Sequence, residues 1–585
     1  METVQRSLLV VSSLALMTGL GCRDYLPKTI TAAGSYPSSR WYADLYSSPF
    51  AVRSSPDGRS LLIYDQHNPG AQILRVVNSD TLQTEHTLTV NETCLRFMWN
   101  PDGRQVSFFC FAGSTRELYL WDMESGRLSR VNAPQTRAES WLAWSSDGRY
   151  LAYKSQISAP TEPTQYLLMD ARTLSVLPLS LPSSVTVISW GSDSQHLALL
   201  DKTRSHSIDV IDLKGELIHR CELDSNIEVK SIIWSARSEH LLVIFSHLAR
   251  KSYNLGVLTL PCGRLQELAT FQDEPEGLTW SPDEANVFFT RDVPDGRSVF
   301  QFSLKSRAVT RIVSENFNNI VGVTSDSTAL IFRQDETDPE SWFRYRIAEK
   351  KEELLYRPKL SALPAIPGRV LSFPTLDHSS TQVIEHRSPK PLSPPAVVIS
   401  LHGGSLTTRA HLFWDSTAQI ALRDGVDWLE VNYRGAIGSP LHGPPDFATA
   451  STDVEAAIEY AHNVLQVPYS RIAVRGNSEG AMVAVETARR FPSHIGLLFL
   501  SGLVDTDESI LSFPYSGVPR RVVLVHLKYD QNTLAQSRKV LETALTPAVT
   551  HDSEYHEYEI EDEHGEVVPT TRAAMYEILL NMVKQ

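Results

Sequence analysis

The sequence predicts two domains: an N-terminal, all-β propeller of seven blades and a C-terminal α/β domain built on a doubly wound, mostly parallel sheet. Two observations lead to this prediction. Short strand-turn-strand units recur at an almost constant spacing through the first part of the chain, and buried strands alternate with helical segments in the last third. The length of 585 residues accommodates two large domains, and 42% hydrophobic and 21% charged residues are ordinary values for a soluble globular protein.

The repeats of the first domain are centred on short turns, three of which contain Asp-Gly. The seven turns begin at Ser55, Trp99, Trp144, Trp190, Trp234, Trp280 and Val323, and the step between the tryptophans is 44 to 46 residues. This period in β-rich sequence is typical of propeller blades, which cannot bury their faces alone. Asp-Gly supplies the tight turn between two strands, and the large apolar residues around it are expected to pack between blades. We therefore predict seven blades within residues 40–360.

The second domain, residues 396–585, shows the strand and helix order of a doubly wound sheet. Buried strands are predicted at 396–401, 426–431, 472–474, 496–501, 522–525 and 554–562, with helices at 452–465 and 479–491. Thr452 and Glu455 indicate a capping box at the start of the first helix. A Pro-rich stretch, 361–395, is predicted to be the linker and the entry to this domain.

A serine between two glycines follows one of these strands. Strand 472–474 runs into Gly476-Asn477-Ser478-Glu479-Gly480, and a helical pattern comes next. A strand that meets a helix through G-x-S-x-G needs a sharp turn, which the glycines permit and which presents the serine hydroxyl above the sheet. The N–H of Glu479, at the helix N-terminus, then faces the oxyanion that forms when the serine attacks a carbonyl. The pattern predicts that Ser478 is the nucleophile of a serine hydrolase.

A second oxyanion donor is predicted upstream of the serine. Strand 396–401 ends in His402-Gly403-Gly404, the type of loop that supplies a backbone N–H to the same oxyanion. Glycines let the backbone approach the substrate oxygen closely, and we assign the donor to Gly404.

The base and the acid of the site are predicted at two further strand ends. Asp530 follows strand 522–525 and His564 follows strand 554–562, which gives the chain order Ser, Asp, His of an α/β-hydrolase. We expect Asp530 to orient the imidazole of His564. Three other histidines compete for the role of base: His526 is assigned to the turn that carries Asp530, and His551 and His556 precede or lie within a strand.

These stretches together resemble the prolyl oligopeptidase family of serine peptidases, in its dipeptidyl-peptidase-like and acylaminoacyl-peptidase-like branches. The resemblance is carried by His402-Gly-Gly404, Asn432-Tyr-Arg-Gly435, Asp453-Val454, Arg471-Ile-Ala-Val474 with the Ser478 motif, His526-Leu-Lys-Tyr-Asp530 and His564-Gly565. A propeller followed by an α/β-hydrolase domain is also the architecture of that family. The resemblance implies peptide hydrolysis by Ser478, Asp530 and His564 through an acyl-enzyme, with His402, Gly403 and Arg434 in supporting loops and without a cofactor.

The resemblance also implies that the propeller restricts access to short or unfolded peptides, with a rigid docking surface as the alternative. Three departures from the family leave the substrate pocket open. Glu479 stands where one branch usually has an aromatic residue, Ala481 replaces a second glycine, and the interval of 52 positions from Ser478 to Asp530 is short. An esterase with the same triad and a non-catalytic, surface-binding propeller protein with a degenerate hydrolase domain are the competing functions.

The first residues are interpreted as a targeting segment. Arg6 precedes an apolar run, 8–20, that is too short to span a bilayer comfortably, and small residues follow before Cys22. Residues 1–22 are similar to a bacterial lipoprotein signal with Cys22 as the lipidated residue, although Gly19 replaces the usual leucine. Plain secretion is the alternative. Either reading predicts an exported protein, with the periplasm or cell envelope as its location and a lipid anchor as its only membrane contact.

The remaining composition excludes some ligands. A net charge of −14 argues against nucleic acid and against an anionic membrane surface as ligands. A peptide as ligand is implied by the family resemblance and not by the charge. No His/Cys spacing indicates a metal site. Four cysteines besides Cys22 do not indicate a disulfide framework in a chain of this size, although Cys94 and Cys110 flank a hairpin and could face each other. Whether they pair stays open at this point.

Overall fold

The computed structural model of the protein describes most of the chain beyond residue 50. The described residues are 28–30, 51–68, 71–92, 94–112, 115–132, 138–156, 165–182, 184–235, 237, 239–247, 252–272, 274–293, 296–313, 317–324, 328–336, 341–357, 365–375, 380–404, 410–412, 414–435, 446–503, 519–527, 554–560 and 569–585.

Seven blades of four antiparallel strands form the propeller, as the period of the sequence predicted. Blade 1 contains Ala51–Ser54, Ser60–Asn68, Ala71–Asn78 and Thr84–Val90. Blade 2 contains Cys94–Trp99, Gln105–Ala112, Thr115–Asp122 and Leu128–Arg130. Blade 3 contains Ala138–Trp144, Tyr150–Gln156, Gln165–Asp170 and Ser175–Leu179. Blade 4 contains Val185–Trp190, His196–Asp201, Ser207–Asp212 and Leu217–Glu222. Blade 5 contains Ile227–Trp234, His240–His247, Tyr253–Thr259 and Gln266–Phe271. Blade 6 contains Glu276–Trp280, Asn286–Val293, Gly296–Ser303 and Val309–Val313. Blade 7 contains Phe317–Val323, Thr328–Gln334, Ser341–Arg346 and Lys351–Tyr356.

The repeated tryptophan joins neighbouring blades. The indole N–H groups of Trp99, Trp190 and Trp280 each donate to a main-chain carbonyl in the first strand of the preceding blade, at 3.2, 2.9 and 3.4 Å. The ring itself packs against apolar residues between the two blades. In these three repeats a single residue thus provides both apolar burial and a hydrogen bond across the seam.

Two disulfides crosslink the propeller, so the interpretation that its cysteines form no disulfide framework is wrong. Cys94 and Cys110 face each other directly across the first two strands of blade 2. Cys221 in the last strand of blade 4 is bonded to Cys262 in a turn of blade 5. The second bond joins adjacent blades, and its partners are brought together by the packing of the blades and not by a local hairpin.

The second domain is built on a nine-stranded sheet. Its spatial order is Lys28–Ile30, Glu554–Ile560, Arg521–Leu527, Leu497–Ser501, Ile472–Asn477, Val397–Leu401, Asp427–Asn432, Ser380–His386 and Gly368–Pro374. The first seven strands are parallel to one another. Ser380–His386 runs antiparallel to both of its neighbours, so the edge strand Gly368–Pro374 has the same direction as the first seven. Segment 361–395, predicted as linker and entry, thus supplies two strands, and a segment close to the N-terminus supplies an edge strand.

Within the described residues, four helices cover both faces of this sheet: α1 (Ser416–Arg423), α2 (Phe447–Asn463), α3 (Glu479–Arg490) and α4 (Pro569–Lys584). Apolar side chains of α2 and α3 pack on one face, and those of α1 and α4 on the other. Single-turn 3₁₀ helices occur at Lys202–Arg204, Tyr469–Arg471 and Pro492–His494. In the part of the chain that the structure describes, no helix is long and apolar enough to cross a membrane.

Helix α2 begins earlier than predicted, and the capping box at Thr452 and Glu455 is wrong. The helix starts at Phe447, where the carboxylate of Asp446 accepts a hydrogen bond from the N–H of Ala448 at 3.1 Å. Asp446 therefore provides the cap, and Thr452 lies within the helix.

Candidate active site

Ser478 occupies a strained turn between a strand and a helix. It follows strand Ile472–Asn477, precedes α3, and has φ 55° and ψ −127°, a conformation that is unfavourable for a residue with a side chain. A Cβ on Gly476 would lie 2.3 Å from the carbonyl oxygen of Gly480, and one on Gly480 would lie 2.4 Å from that of Leu401. Neither glycine tolerates a side chain, as the G-x-S-x-G pattern requires. The Ser478 residue is 8% exposed at the C-terminal edge of the parallel strands.

The loop at 402–404 lies directly beside this serine. A Cβ added to Gly403 would be 2.8 Å from Cβ of Ser478 and 3.4 Å from its Oγ. Gly404 has φ 60°, which favours glycine. The structure therefore brings Ser478, Glu479 and Gly403 together. The assignment of the oxyanion N–H to Gly404 stays a prediction.

Tyr433 holds the 402–404 loop in place. Its hydroxyl donates to the carbonyl oxygen of His402 at 2.6 Å, and the two rings stack with centroids 4.8 Å apart. Burial, with a further contribution from the negative charge of Glu479, raises the pKa of Tyr433, so the hydroxyl keeps the proton that it donates. The bond to the carbonyl fixes the plane of the peptide that links His402 to Gly403. It thereby fixes the direction of the Gly403 N–H.

Arg434 forms a buried ion pair with Asp453 of α2. Its main-chain N–H lies 2.7 Å and its Nε 3.1 Å from Oδ2, and Nη2 lies 2.9 Å from Oδ1. The guanidinium also donates to the carbonyl oxygen of Thr449 at 3.1 Å. Arg434 therefore supports the site through the loop after strand Asp427–Asn432, which it ties to α2. Charge-assisted, two-pronged bonds of this kind fix geometry strongly.

Asn432 holds the main chain of Ala410, which follows the 402–404 loop in the sequence, through two hydrogen bonds. Its Oδ1 accepts from the N–H of Ala410 at 2.7 Å, and its Nδ2 donates to the carbonyl oxygen of Ala410 at 3.0 Å. Sequence reasoning quoted Asn432, Tyr433 and Asp453 as parts of motifs but assigned them no contact. The sequence feature that could have identified all three is that they lie in the Asn432-Tyr-Arg-Gly435 and Asp453-Val454 stretches, which carry the family resemblance.

Asp530, His564 and Cys22 lie outside the described residues. The strands that lead to the first two are described: Arg521–Leu527 ends three residues before Asp530, and Glu554–Ile560 ends four residues before His564. Both strands are parallel to Ile472–Asn477 and end at the same edge of the sheet as Ser478. The predicted acid and base thus follow strands that run toward the serine.

His526 lies within a strand and not in the turn to which it was assigned. The strand extends to Leu527, and Nε2 of His526 pairs with Oε1 of Glu557 on the neighbouring strand. His526 therefore joins two neighbouring strands, and the assignment of the base to His564 stays a prediction. Among the described residues, no group of three or more His, Cys, Asp or Glu side chains is arranged to hold a metal ion.

No protein-family model matches the sequence, and no curated protein matches it either. Solved structures do match the chain. A prolyl endopeptidase is 13% identical to it with a TM-score of 0.73, and the match covers 94% of this chain and 92% of the endopeptidase chain. The acylaminoacyl peptidase of Pyrococcus horikoshii is 13% identical with a TM-score of 0.67, covering 94% and 97%. A puromycin-hydrolysing peptidase of Mycobacterium tuberculosis is 14% identical with a TM-score of 0.67, covering 96% and 97%. The solved structures that this chain matches are thus peptidases of the prolyl oligopeptidase family, and the chain shares their fold over almost its entire length.

Proposed function

We propose that this chain is a serine peptidase of the prolyl oligopeptidase family that hydrolyses short peptides through an acyl-enzyme. One observation carries the proposal: Ser478 sits in a strained strand-to-helix turn with the backbone of Gly403 against its side chain. A nucleophile held beside backbone N–H groups is the arrangement that acyl transfer needs. The likeness to two-domain peptidases over nearly the full length of the chain supports the same function.

In the proposed mechanism, Oγ of Ser478 attacks the peptide carbonyl within an α/β-hydrolase domain. His564 takes the proton and returns it to the leaving amine, and Asp530 holds the imidazole in the required tautomer. The N–H groups of Glu479 and Gly404 stabilise the tetrahedral oxyanion. Water then hydrolyses the acyl-enzyme by the same route.

The propeller is proposed to restrict access to this site. Seven blades joined by interblade hydrogen bonds and a disulfide form a rigid ring, which suits a size filter. The rate of cleavage should be high for short or unfolded peptides and should fall when the same cleavable sequence is part of a folded protein. Equal cleavage of a folded protein and its unfolded form would contradict the filter.

Variants of the three predicted catalytic residues test the chemistry. Ser478→Ala and His564→Ala should each abolish hydrolysis of peptide p-nitroanilides, and Asp530→Asn should lower kcat by about 10⁴-fold. His526→Gln is the matched control, because His526 is engaged by another strand. Equal activity of His564→Ala and wild type, or hydrolysis of p-nitrophenyl esters without any peptide hydrolysis, would overturn the peptidase proposal.

Export and anchoring are also proposed, from the sequence of residues 1–22. Cys22→Ser should release the protein from the membrane fraction and prevent incorporation of labelled fatty acid. Unchanged fractionation of that variant would favour plain secretion.

A further inference from the structure

A short segment after the 402–404 loop is attached to both domains. The segment, residues 410–412 and 414–415, is held on the sheet side by the two hydrogen bonds between Asn432 and Ala410. At its other end, the carboxylate of Asp415 caps α1 by accepting from the N–H groups of Thr417 and Ala418, at 2.6 and 3.0 Å. Within the catalytic domain its position is therefore well defined.

The same segment docks on the propeller through a buried polar contact. Nε2 of His411 lies 3.1 Å from Oδ1 of Asp292, at the end of the second strand of blade 6, and the two side chains are only 8% and 5% exposed. The main-chain N–H of Trp414 donates to the carbonyl oxygen of Asp335, which follows the second strand of blade 7, at 2.7 Å. The segment thus bridges the catalytic sheet and two propeller blades.

Asp292 is itself fixed from the propeller side. Nη1 of Arg297 lies 3.5 Å from Oδ2 of Asp292, and the same guanidinium pairs with Glu276 of the preceding strand. The carboxylate that meets His411 therefore belongs to a charge network of blade 6 in which Asp292 and Arg297 are buried and Glu276 is partly exposed. Removing one member of such a network costs more than removing a surface pair, because the partners stay buried without compensation.

The bridging segment is tied to the loop beside the nucleophile through Asn432 and Tyr433. Asn432 holds Ala410, and the hydroxyl of the next residue, Tyr433, donates to the carbonyl oxygen of His402, whose neighbour Gly403 lies against Ser478. A shift of the segment therefore moves the backbone that the proposed mechanism uses for the oxyanion. A displacement of about 1 Å in catalytic groups can cost about 10²-fold in rate.

We propose that Asp292 of the propeller is a positioning residue for the reaction: through His411, it holds the 402–404 loop in its place beside Ser478. This inference rests on the proposed function of Ser478. It makes the propeller a part of the catalytic geometry in addition to any role in access. Because the oxyanion develops in the transition state, the effect falls on kcat and not on KM.

The test compares Asp292→Asn, His411→Gln and the double variant in the full chain, with a peptide p-nitroanilide as substrate. Each single variant should lower kcat about tenfold with KM changed less than about twofold. The double variant should be no worse than the poorer single variant, because both remove one interaction. Asp209→Asn is the matched control: it removes a buried propeller carboxylate that pairs with Arg204 and Arg220 in blade 4, away from the segment.

A kcat of Asp292→Asn equal to that of the control, or fully additive effects in the double variant, would overturn the inference. If Asp292→Asn does not fold, Asp292→Glu keeps the charge and displaces it, and its kcat should lie between wild type and His411→Gln. Wild-type protein that a fluorophosphonate does not label at Ser478 would refute the proposed function instead. Labelled wild type with an unaffected Asp292→Asn refutes only the positioning role.

Discussion

Replacing Gly403 with alanine tests whether the 402–404 loop lies beside the nucleophile. The added Cβ would be 2.8 Å from Cβ of Ser478, 3.3 Å from the carbonyl oxygen of Asn477 and 3.4 Å from Oγ of Ser478. Two carbon atoms in ordinary contact are about 3.5 to 4.0 Å apart. Either the loop or the serine must therefore move by about 0.7 Å or more.

The structure sets the size of the expected effect. A shift of this order moves the oxyanion donors relative to the nucleophile, and we expect kcat/KM to fall about 100-fold, equivalent to about 2.7 kcal/mol. The same overpacking should lower the free energy of unfolding by about 1 to 3 kcal/mol, so the variant still folds. The loss of activity should therefore be measured on folded protein.

The assay is the rate of fluorophosphonate labelling, measured together with kcat/KM for a peptide p-nitroanilide and with urea unfolding. Gly322→Ala is the matched control, because a Cβ on Gly322 meets no atom within 4 Å. A Gly403→Ala protein that labels and turns over like this control would refute the arrangement of loop and nucleophile described above.

Three further predictions concern stability. Asp453→Asn leaves the buried guanidinium of Arg434 without its charged partner, and urea unfolding should show a loss of about 3 to 5 kcal/mol, whereas an unchanged midpoint would contradict the role of the pair. Reducing the Cys221–Cys262 disulfide opens a 41-residue loop, and replacing both cysteines with serine should cost about 4 kcal/mol in the same assay; no loss would mean that the bond constrains little. Burial raises the pKa of Glu430 to about 8, so the folded state holds a proton that the unfolded state loses above 4.5. Stability should then fall as the pH rises from 4.5 to about 8, and Glu430→Gln should remove this slope; an identical slope in that variant would contradict the assignment.

Local patterns predicted the parts of the fold that local physics determines. The turn at Ser478 follows from two glycines that have no room for a side chain, and the blade period is marked by tryptophans that pack between blades in five of the seven repeats. The start of α2 could not be predicted in the same way. Asp446 and Thr452 are both residues that cap helices well, and Thr452 instead meets the guanidinium of Arg434 from inside the helix.

Contacts between segments that are distant along the chain could not be predicted from the sequence. Cys221 and Cys262 meet because two blades pack side by side, and His411 meets Asp292 because one domain docks on the other. Neither pair has a spacing that any local motif encodes. The edge strand Lys28–Ile30 was missed for a similar reason: three residues have no period of their own, and the strand is defined by its partner, Tyr558–Ile560.

The most direct test of the account is the site of covalent labelling. Folded protein treated with a fluorophosphonate should gain one adduct by intact-mass measurement, and peptide mapping should place it on Ser478. Ser478→Ala should gain none while it unfolds at the same urea concentration as wild type. An adduct on another residue, or none on folded wild-type protein, would contradict the claim that Ser478 is a catalytic nucleophile.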